Sequence, residues 1–236
     1  RGMYREDKLR NVQQTVEGIY CPRFYDVRYT EDQTIRDIRP QKNCFPAKIQ
    51  RRWMSDINTF NTDQILTTAE TEFGDMFVTE ISRGCRRGCR FCAAGFIYRP
   101  VRYRTEKTLS PSLAAGLTQG KKIGLLGTAV SDHPDLEGIC RTVLGKGGRL
   151  SLSSLRIDRI TPEIAALARK ARIDTIALAP EAGSERLRKV IRKNIADRQI
   201  FKALECLIDE DILNVRLYFL VGLPTETDDD MDALIR

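Results

Sequence analysis

From residue 74 onward, short apolar runs alternate with helical patterns, and this alternation restricts the fold more than any other feature of the chain. The runs cover 76–81, 122–127, 149–155, 175–179 and 215–221, and each reads as a strand. Helix signals lie between them. Ser110-Pro111 reads as one start, since proline is tolerated at a first helical position, where its missing donor has no partner anyway. Thr161-Pro162-Glu163 is another, with a capping hydroxyl and an acid in the first turn, followed by Ile164, Leu167, Ala168 and Ala171 on one face. A third helix begins near Pro134 and closes at Gly145, Gly147 and Gly148. Strands separated by helices run parallel and are joined by right-handed crossovers. The class is therefore α/β, either an open doubly wound sheet or a TIM-like barrel. Both place functional groups at the carboxyl ends of the strands, where the unusual residues of this chain stand.

Residues 1–73 differ in character. The segments 24–30 and 34–39 flank Glu31-Asp32-Gln33 and read as a hairpin, and 41–63 is polar and irregular around the single tryptophan, Trp53. The expected division is a β extension or interdomain connector over 1–73 and the α/β domain over 74–236. A chain that is 42% hydrophobic and 30% charged is too apolar for wholesale disorder. It contains no run of about 18 apolar residues that could span a membrane. The opening Arg1-Gly2-Met3-Tyr4-Arg5-Glu6-Asp7-Lys8 has no apolar signal core, so a cytoplasmic chain is expected.

Seven cysteines make an odd number, and three fall within Ser82-Arg83-Gly84-Cys85-Arg86-Arg87-Gly88-Cys89-Arg90-Phe91-Cys92. Cys21, Cys44, Cys140 and Cys206 are scattered and read as packing residues. A disulfide within the trio leaves one thiol over. Structural zinc wants a fourth ligand, yet His133 is the only histidine and there is no second Cys-x2-Cys pair. Chance burial does not call for glycine and arginine at each flank. An iron–sulfur cluster suits the spacing best, since three thiolates can hold three irons of a cubane and leave the fourth open for reaction. Gly84 and Gly88 allow tight turns, and the arginines offset thiolate charge.

Cys85-x3-Cys89-x2-Cys92, with Phe91 before the last cysteine, resembles the signature of the radical S-adenosylmethionine (radical SAM) enzymes. The resemblance runs from about residue 18 to the C-terminus. It passes through Gly18-Ile19-Tyr20-Cys21-Pro22-Arg23-Phe24-Tyr25, the cysteine loop, Ser153-Ser154-Leu155-Arg156, Ala179-Pro180-Glu181-Ala182-Gly183-Ser184-Glu185-Arg186-Leu187 and Val221-Gly222-Leu223-Pro224-Thr225-Glu226. It is most similar to an uncharacterised branch usually fused behind a cobalamin-binding domain. The resemblance implies a partial TIM-like (β/α)6 barrel, of which five strands are visible, so the chain is read as a fragment of a longer protein. It further implies an oxygen-sensitive 4Fe–4S cluster on Cys85, Cys89 and Cys92, whose open iron chelates S-adenosylmethionine. One-electron reduction then generates a 5′-deoxyadenosyl radical. The outcome would be cobalamin-dependent methyl transfer or rearrangement, with cobalamin supplied by a domain or partner outside this chain, and with flavodoxin or ferredoxin as the reductant.

The resemblance also assigns cofactor contacts. Phe91 would lie by the adenine, and the backbone at Val221 and Gly222 would pack against the adenine too. Gly127 and Thr128 end the second strand, where the family binds the methionyl amino group, although this chain lacks the commoner Gly-Gly-Glu form there. Ser131 and Asp132 read equally as caps for the following helix, and His133 as a surface or capping residue. Ser154 and Arg156 emerge from the third strand, Arg156 as a clamp for the cofactor carboxylate or as an ion-pair partner of Asp158 or Glu181. Glu181 would take ribose hydroxyls or the methionyl ammonium. Ser184 starts a helix whose first turns hold Arg186 and Arg188, which oppose the helix dipole and so suggest a carboxylate nearby. The acids from Glu226 to Asp232 load another helix N-terminus.

Seven arginines and no acid lie from Arg83 to Arg104, with Tyr98 and Tyr103 interleaved. Cluster neutralisation and rim packing are the first reading of them, and an anionic partner such as RNA or a reductant is the second. A net charge of +7 is modest for a nucleic-acid binder. Two alternatives remain: an RNA-modifying protein of the methylthiotransferase kind, and a non-catalytic metal-binding interaction protein. No residue is assigned a catalytic role, and nothing names the substrate.

Overall fold

The structure, a computed structural model, describes residues 4–66, 68–71 and 73–235, so Arg1-Gly2-Met3 and Arg236 of the sequence reading lie outside the described residues. The chain divides into two compact units, one ending at Ser55 and the other beginning at Asp56.

In the first unit, helix α1 (Arg5–Thr15) precedes an antiparallel hairpin of β1 (Tyr25–Tyr29) and β2 (Ile35–Pro40), the hairpin expected from sequence. Its small core joins Cys21, Phe24, Tyr25 and Phe45, with the two phenylalanine rings stacked at 4.7 Å. Helix α1 was not foreseen because it buries only Gln13 and shows no apolar stripe. Tertiary hydrogen bonds anchor it instead. The Gln13 side chain accepts from Cys21 N–H at 2.6 Å and donates to Ile19 O at 2.8 Å. Cys44 is exposed and does not pack as expected, whereas Cys21, Cys140 and Cys206 are buried.

The second unit holds β3 (Met76–Glu80), β4 (Ser82–Arg83), α2 (Ala94–Ile97), β5 (Arg102–Tyr103), α3 (Glu106–Thr118) and β6 (Lys122–Leu126). There follow α4 (Leu136–Gly145), β7 (Leu150–Leu152), α5 (Pro162–Lys170), β8 (Thr175–Glu181), α6 (Glu185–Val190), α7 (Asp197–Ile208), β9 (Asn214–Phe219) and α8 (Asp228–Ile235). All five strands expected from sequence are present. β3, β6 and β7 form one parallel sheet, and β8 and β9 form another. The α/β class holds. Among the described residues no ladder joins β7 to β8, so the hydrogen bonding does not close a barrel.

The main core is built from Ile81, Leu109, Ile123, Leu125, Ile139, Leu150, Ile176 and Leu178, with the α5 face Ile164, Leu167, Ala168 and Ala171 buried as the spacing required. Thr161 caps α5 by accepting from Ile164 N–H. Gly147 and Gly148 donate back to Leu144 O and Val143 O, which ends α4 as foreseen. Helix α3 departs from expectation. It starts at Glu106 behind the Thr105 cap, with Pro111 inside it. The proline forfeits one backbone bond, but burial of Leu109 and Leu113 holds the helix together.

His133 is not at the surface. Its ring is buried, with Nε2 2.9 Å from Arg104 O, while Nδ1 accepts from Asp135 N–H at 3.1 Å. These bonds assign the proton to Nε2. Burial lowers the pKa of His133, against the opposing pull of the Arg104 carbonyl and Asp135. A folded pKa below the unfolded value of about 6.5 means that its contribution to stability is complete above that pH and is lost as pH falls toward the folded pKa. As the chain has one histidine, a single imidazole resonance reports the titration. Its midpoint is expected below 6.5, and His133→Gln should flatten the fall in melting temperature between pH 7 and pH 5. A midpoint at or above 6.5 would refute the burial effect.

Candidate functional site: a cavity lined by three cysteines

Strand β3 leads through β4 into the cysteine loop, and the two-residue ladder of β4 with β5 closes that loop at its base. Gly84 turns the chain at φ +93°, and a Cβ there would collide with the Tyr98 carbonyl. The loop's arginines mostly wire it to itself and its surroundings. Arg102, buried, donates to Pro100 O and Tyr98 O, each at 2.9 Å, and Arg99 donates to Arg87 O at 2.8 Å. Arg83 grips Glu80 with two bonds of 2.7 and 2.8 Å, and Arg104 reaches Phe60 O and Glu80. Burial raises the Glu80 pKa, but these two guanidiniums outweigh it and the net shift is downward. Arg90 N–H and its guanidinium donate to Ile191 O and Val190 O, docking the loop on the turn after α6.

Cys85, Cys89 and Cys92 line one cavity of about 150 Å³, together with Phe91, Thr128, Arg156 and Glu181 from the sequence reading. Arg87 N–H donates to Cys85 Sγ at 3.3 Å. Cys89 is the most buried of the three, and burial pushes its thiol pKa up against the lowering fields of Lys193 and Arg87. Among the described residues no three His, Cys, Asp or Glu side chains converge on a single-ion site. Three thiols around a common cavity could instead serve a cluster whose irons each take one thiolate. Ser82 Oγ is buried and has no partner among the described residues, and a Cβ on Gly127 would collide with it. Neither residue lines the cavity; the close approach is a packing contact between the start of β4 and the residue after β6.

Lys193 is the wall residue that the sequence did not suggest, whereas Arg87 is one of the loop arginines expected to offset thiolate charge and Asp158 an expected partner of Arg156. Lys193 Nζ is 3.0 Å from Glu181 Oε1 and 6.0 Å from the Phe91 ring centre. It is held between Arg192 and Asn194, both at positive φ. Asparagine adopts this conformation comparatively often, but nothing signals it at Arg192, because a long side chain rarely does. Arg87 and Asp158 pair across the wall, and Glu181 itself stands at φ +73° beside an irregularity in the β8–β9 ladder. That distortion lifts its carboxylate off the strand pattern.

Arg156 lines the cavity but is held there by ion pairs, and the other expected contacts lie elsewhere. Arg156 pairs with Asp132 and bidentately with Asp158, at 3.1 and 2.5 Å, and not with Glu181. Burial would lower its pKa, but the two carboxylates raise it. Asp132 therefore serves Arg156 and not a helix cap, while Ser131 Oγ accepts from Arg156 N–H at 2.8 Å. Gly127 directly follows β6 and does not line the cavity, and Ser154 is exposed at φ +54°. Ser184 caps α6 and bonds Asp230, which also holds Arg186 and keeps its own carboxyl well below the usual range. Arg188 is wholly buried and bonded to Ile195 O, Ala182 O, Gly183 O and Asp197. The anions that Arg186 and Arg188 called for are supplied by the chain itself. Val221 is exposed after β9, and Gly222, at φ +83°, has open space around its Cα.

Residues 79–236 match the profile of the Radical SAM superfamily. The chain is 35% identical over 230 residues to an uncharacterized protein of Methanocaldococcus jannaschii, covering 97% of this chain and 47% of that protein. It therefore spans about half the length of the curated relative it matches. Among solved structures, it is similar to the radical S-adenosylmethionine methyltransferase TsrM of Kitasatospora setae, determined with cobalamin and a [4Fe-4S] cluster bound. The TM-score is 0.57 at 15% identity, over 67% of this chain and 33% of that one. It is also similar to OxsB, a cobalamin-dependent S-adenosylmethionine radical enzyme determined with aqua-cobalamin and S-adenosylmethionine bound. There the TM-score is 0.54 at 18% identity, over 67% of this chain and 25% of that one. At such identities these two structures speak for the fold.

Proposed function

This chain belongs to the radical SAM superfamily, and from that membership we propose that Cys85, Cys89 and Cys92 hold a 4Fe–4S cluster with S-adenosylmethionine in the same cavity. The observation that carries the proposal is the shared cavity of the three thiols, walled by both cationic and anionic side chains. When bound and reduced, the cluster would supply the electron for reductive cleavage of the sulfonium of S-adenosylmethionine. The chain binds, orients and excludes water. Arg87 and Lys193 offset thiolate charge, Phe91 offers a flat apolar face to the adenine, and Thr128 provides a hydroxyl. Lys193 and Glu181 match the two charges of a methionyl end.

The two parallel sheets would form a partial (β/α)6 barrel over 74–236, with 1–73 as a β extension or connector, in keeping with a family match that begins at residue 79. The cobalamin named for TsrM and OxsB supports cobalamin-dependent methyl transfer or rearrangement, with that cofactor held outside this chain. A one-electron carrier such as flavodoxin or ferredoxin is the proposed reductant, in the cytoplasm. No helix among the described residues is long and apolar enough to cross a membrane.

The test is anaerobic reconstitution with iron and sulfide, followed by dithionite and S-adenosylmethionine. A brown protein releasing 5′-deoxyadenosine or methionine is expected. A colourless, zinc-replete protein without turnover would overturn the proposal, and binding of transfer RNA that weakens with salt would favour an RNA-modifying enzyme.

A further inference from the structure

Asp158 sits in the short turn Ile157–Arg159 after β7, with its side chain only 11% exposed. It receives two guanidiniums. One is Arg87, which stands between Cys85 and Cys89, and the other is Arg156. Arg156 in turn reaches Asp132, ahead of α4. Arg87, Asp158, Arg156 and Asp132 thus form one alternating row of charge, and its first three members line the cysteine cavity. Ions so little exposed stay in place only while each has a partner, because an uncompensated one regains more by turning to water. The Arg87 side chain is 29% exposed, so water is within its reach.

We propose that Asp158 is the positioning residue of the cysteine loop: it holds the Arg87 guanidinium against the loop and thereby sets the positive field that an anionic cluster meets there. The inference rests on the cluster proposed above. Asp158 touches neither the thiols nor any reacting atom in this role; it acts through Arg87. Arg87 is also fixed at its backbone, where its N–H bonds Cys85 Sγ and its carbonyl accepts from Arg99. Ordering its side chain therefore orders the first half of the loop. Arg156 does not depend on Asp158 alone, since Asp132 retains it.

The sign of one measurement separates positioning from simple charge. If Asp158 acted only as a nearby anion, Asp158→Asn would raise the midpoint potential of the reconstituted cluster. If it holds Arg87 in place, the same change releases a cation from the loop and lowers the potential, as Arg87→Gln does. The expected result is a lower potential in both single variants, no further shift in the double variant, and recovery in Asp158→Glu. An unchanged or raised potential in Asp158→Asn, or shifts that simply add, would overturn the proposal.

A second readout needs no cluster. Amide exchange over residues 85–92 of the metal-free protein should quicken about tenfold or more in Asp158→Asn while α1 exchanges as before. Equal protection in the two proteins would overturn it as well. A wild-type chain that takes up no cluster would defeat the proposed function, and the exchange experiment would still decide the role of Asp158.

Discussion

Replacing Cys89 by alanine should give a folded protein that takes up no iron–sulfur cluster and releases no 5′-deoxyadenosine above the enzyme-free background. Cys89 is the most buried of the three thiols lining the cavity. Two remaining thiolates leave a cubane with two irons lacking protein ligands, and no histidine can substitute, because His133 is spent on Arg104 and Asp135. Loss of one sulfur at the cavity wall should cost only about 1 kcal/mol of stability, within the ordinary range for point changes. Cys140→Ala is the contrast. Cys140 is fully buried in the main core, and burial pushes its thiol up to about 12, so it stays protonated and inert as a ligand. Its removal should also cost about 1 kcal/mol, yet leave iron content and turnover unchanged. Iron and sulfide analysis with chromatography of the nucleoside distinguishes the two. A Cys89→Ala protein that keeps a full cluster would show that the cavity thiols are not its ligands.

The largest effect on stability is expected from Arg188→Met. The guanidinium is wholly buried and serves the carbonyls of Ile195, Ala182 and Gly183 together with Asp197. Methionine fills much of the volume but leaves those three carbonyls without their charged donor and Asp197 without its cation. Asp197 is 57% exposed and regains water, so the cost comes from the carbonyls, at about 1–3 kcal/mol for each buried acceptor left without a donor, which for a chain of this size lowers the melting temperature on the order of 10 °C. Lysine should rescue little, since a single ammonium cannot reproduce a planar fork reaching four acceptors. The same variant tests the assignment of Arg188 as a cofactor contact. A residue reserved for the cofactor carboxylate would leave the metal-free protein as stable as before and weaken only S-adenosylmethionine binding. Function should suffer indirectly, because Lys193 N–H and Asn194 N–H both bond Arg188 O, and that turn presents Lys193 to the cavity.

Much of the fold was legible because its signals are local. The five apolar runs became the five parallel strands, and the Thr161-Pro162-Glu163 start and the glycine stop after α4 stand where capping chemistry puts them. The failures have a common cause. Helix α1 carries almost no apolar face, and α3 begins before its proline because tertiary burial of Leu109 and Leu113 outweighs one missing backbone bond. The β4–β5 ladder is only two residues long, and its two strands are brought together by the loop that it closes. None of these leaves a periodic trace in the sequence.

The candidate site divides along the same line. Spacing by itself determined that Cys85, Cys89 and Cys92 follow a strand and share one loop, since ligand spacing and strand period are properties of neighbouring residues. Only the tertiary structure decided which charges reach that loop. Arg156, Arg186 and Arg188 were equivalent candidates in sequence, yet Arg156 lines the cavity in a row of ion pairs, Arg186 is held by Asp230, and Arg188 is sealed among carbonyls. Lys193, with no sequence signal, stands in the wall. A long cationic side chain can sweep a wide volume, and the partner that captures it is chosen by distance through space. That choice is made by packing, not by position along the chain.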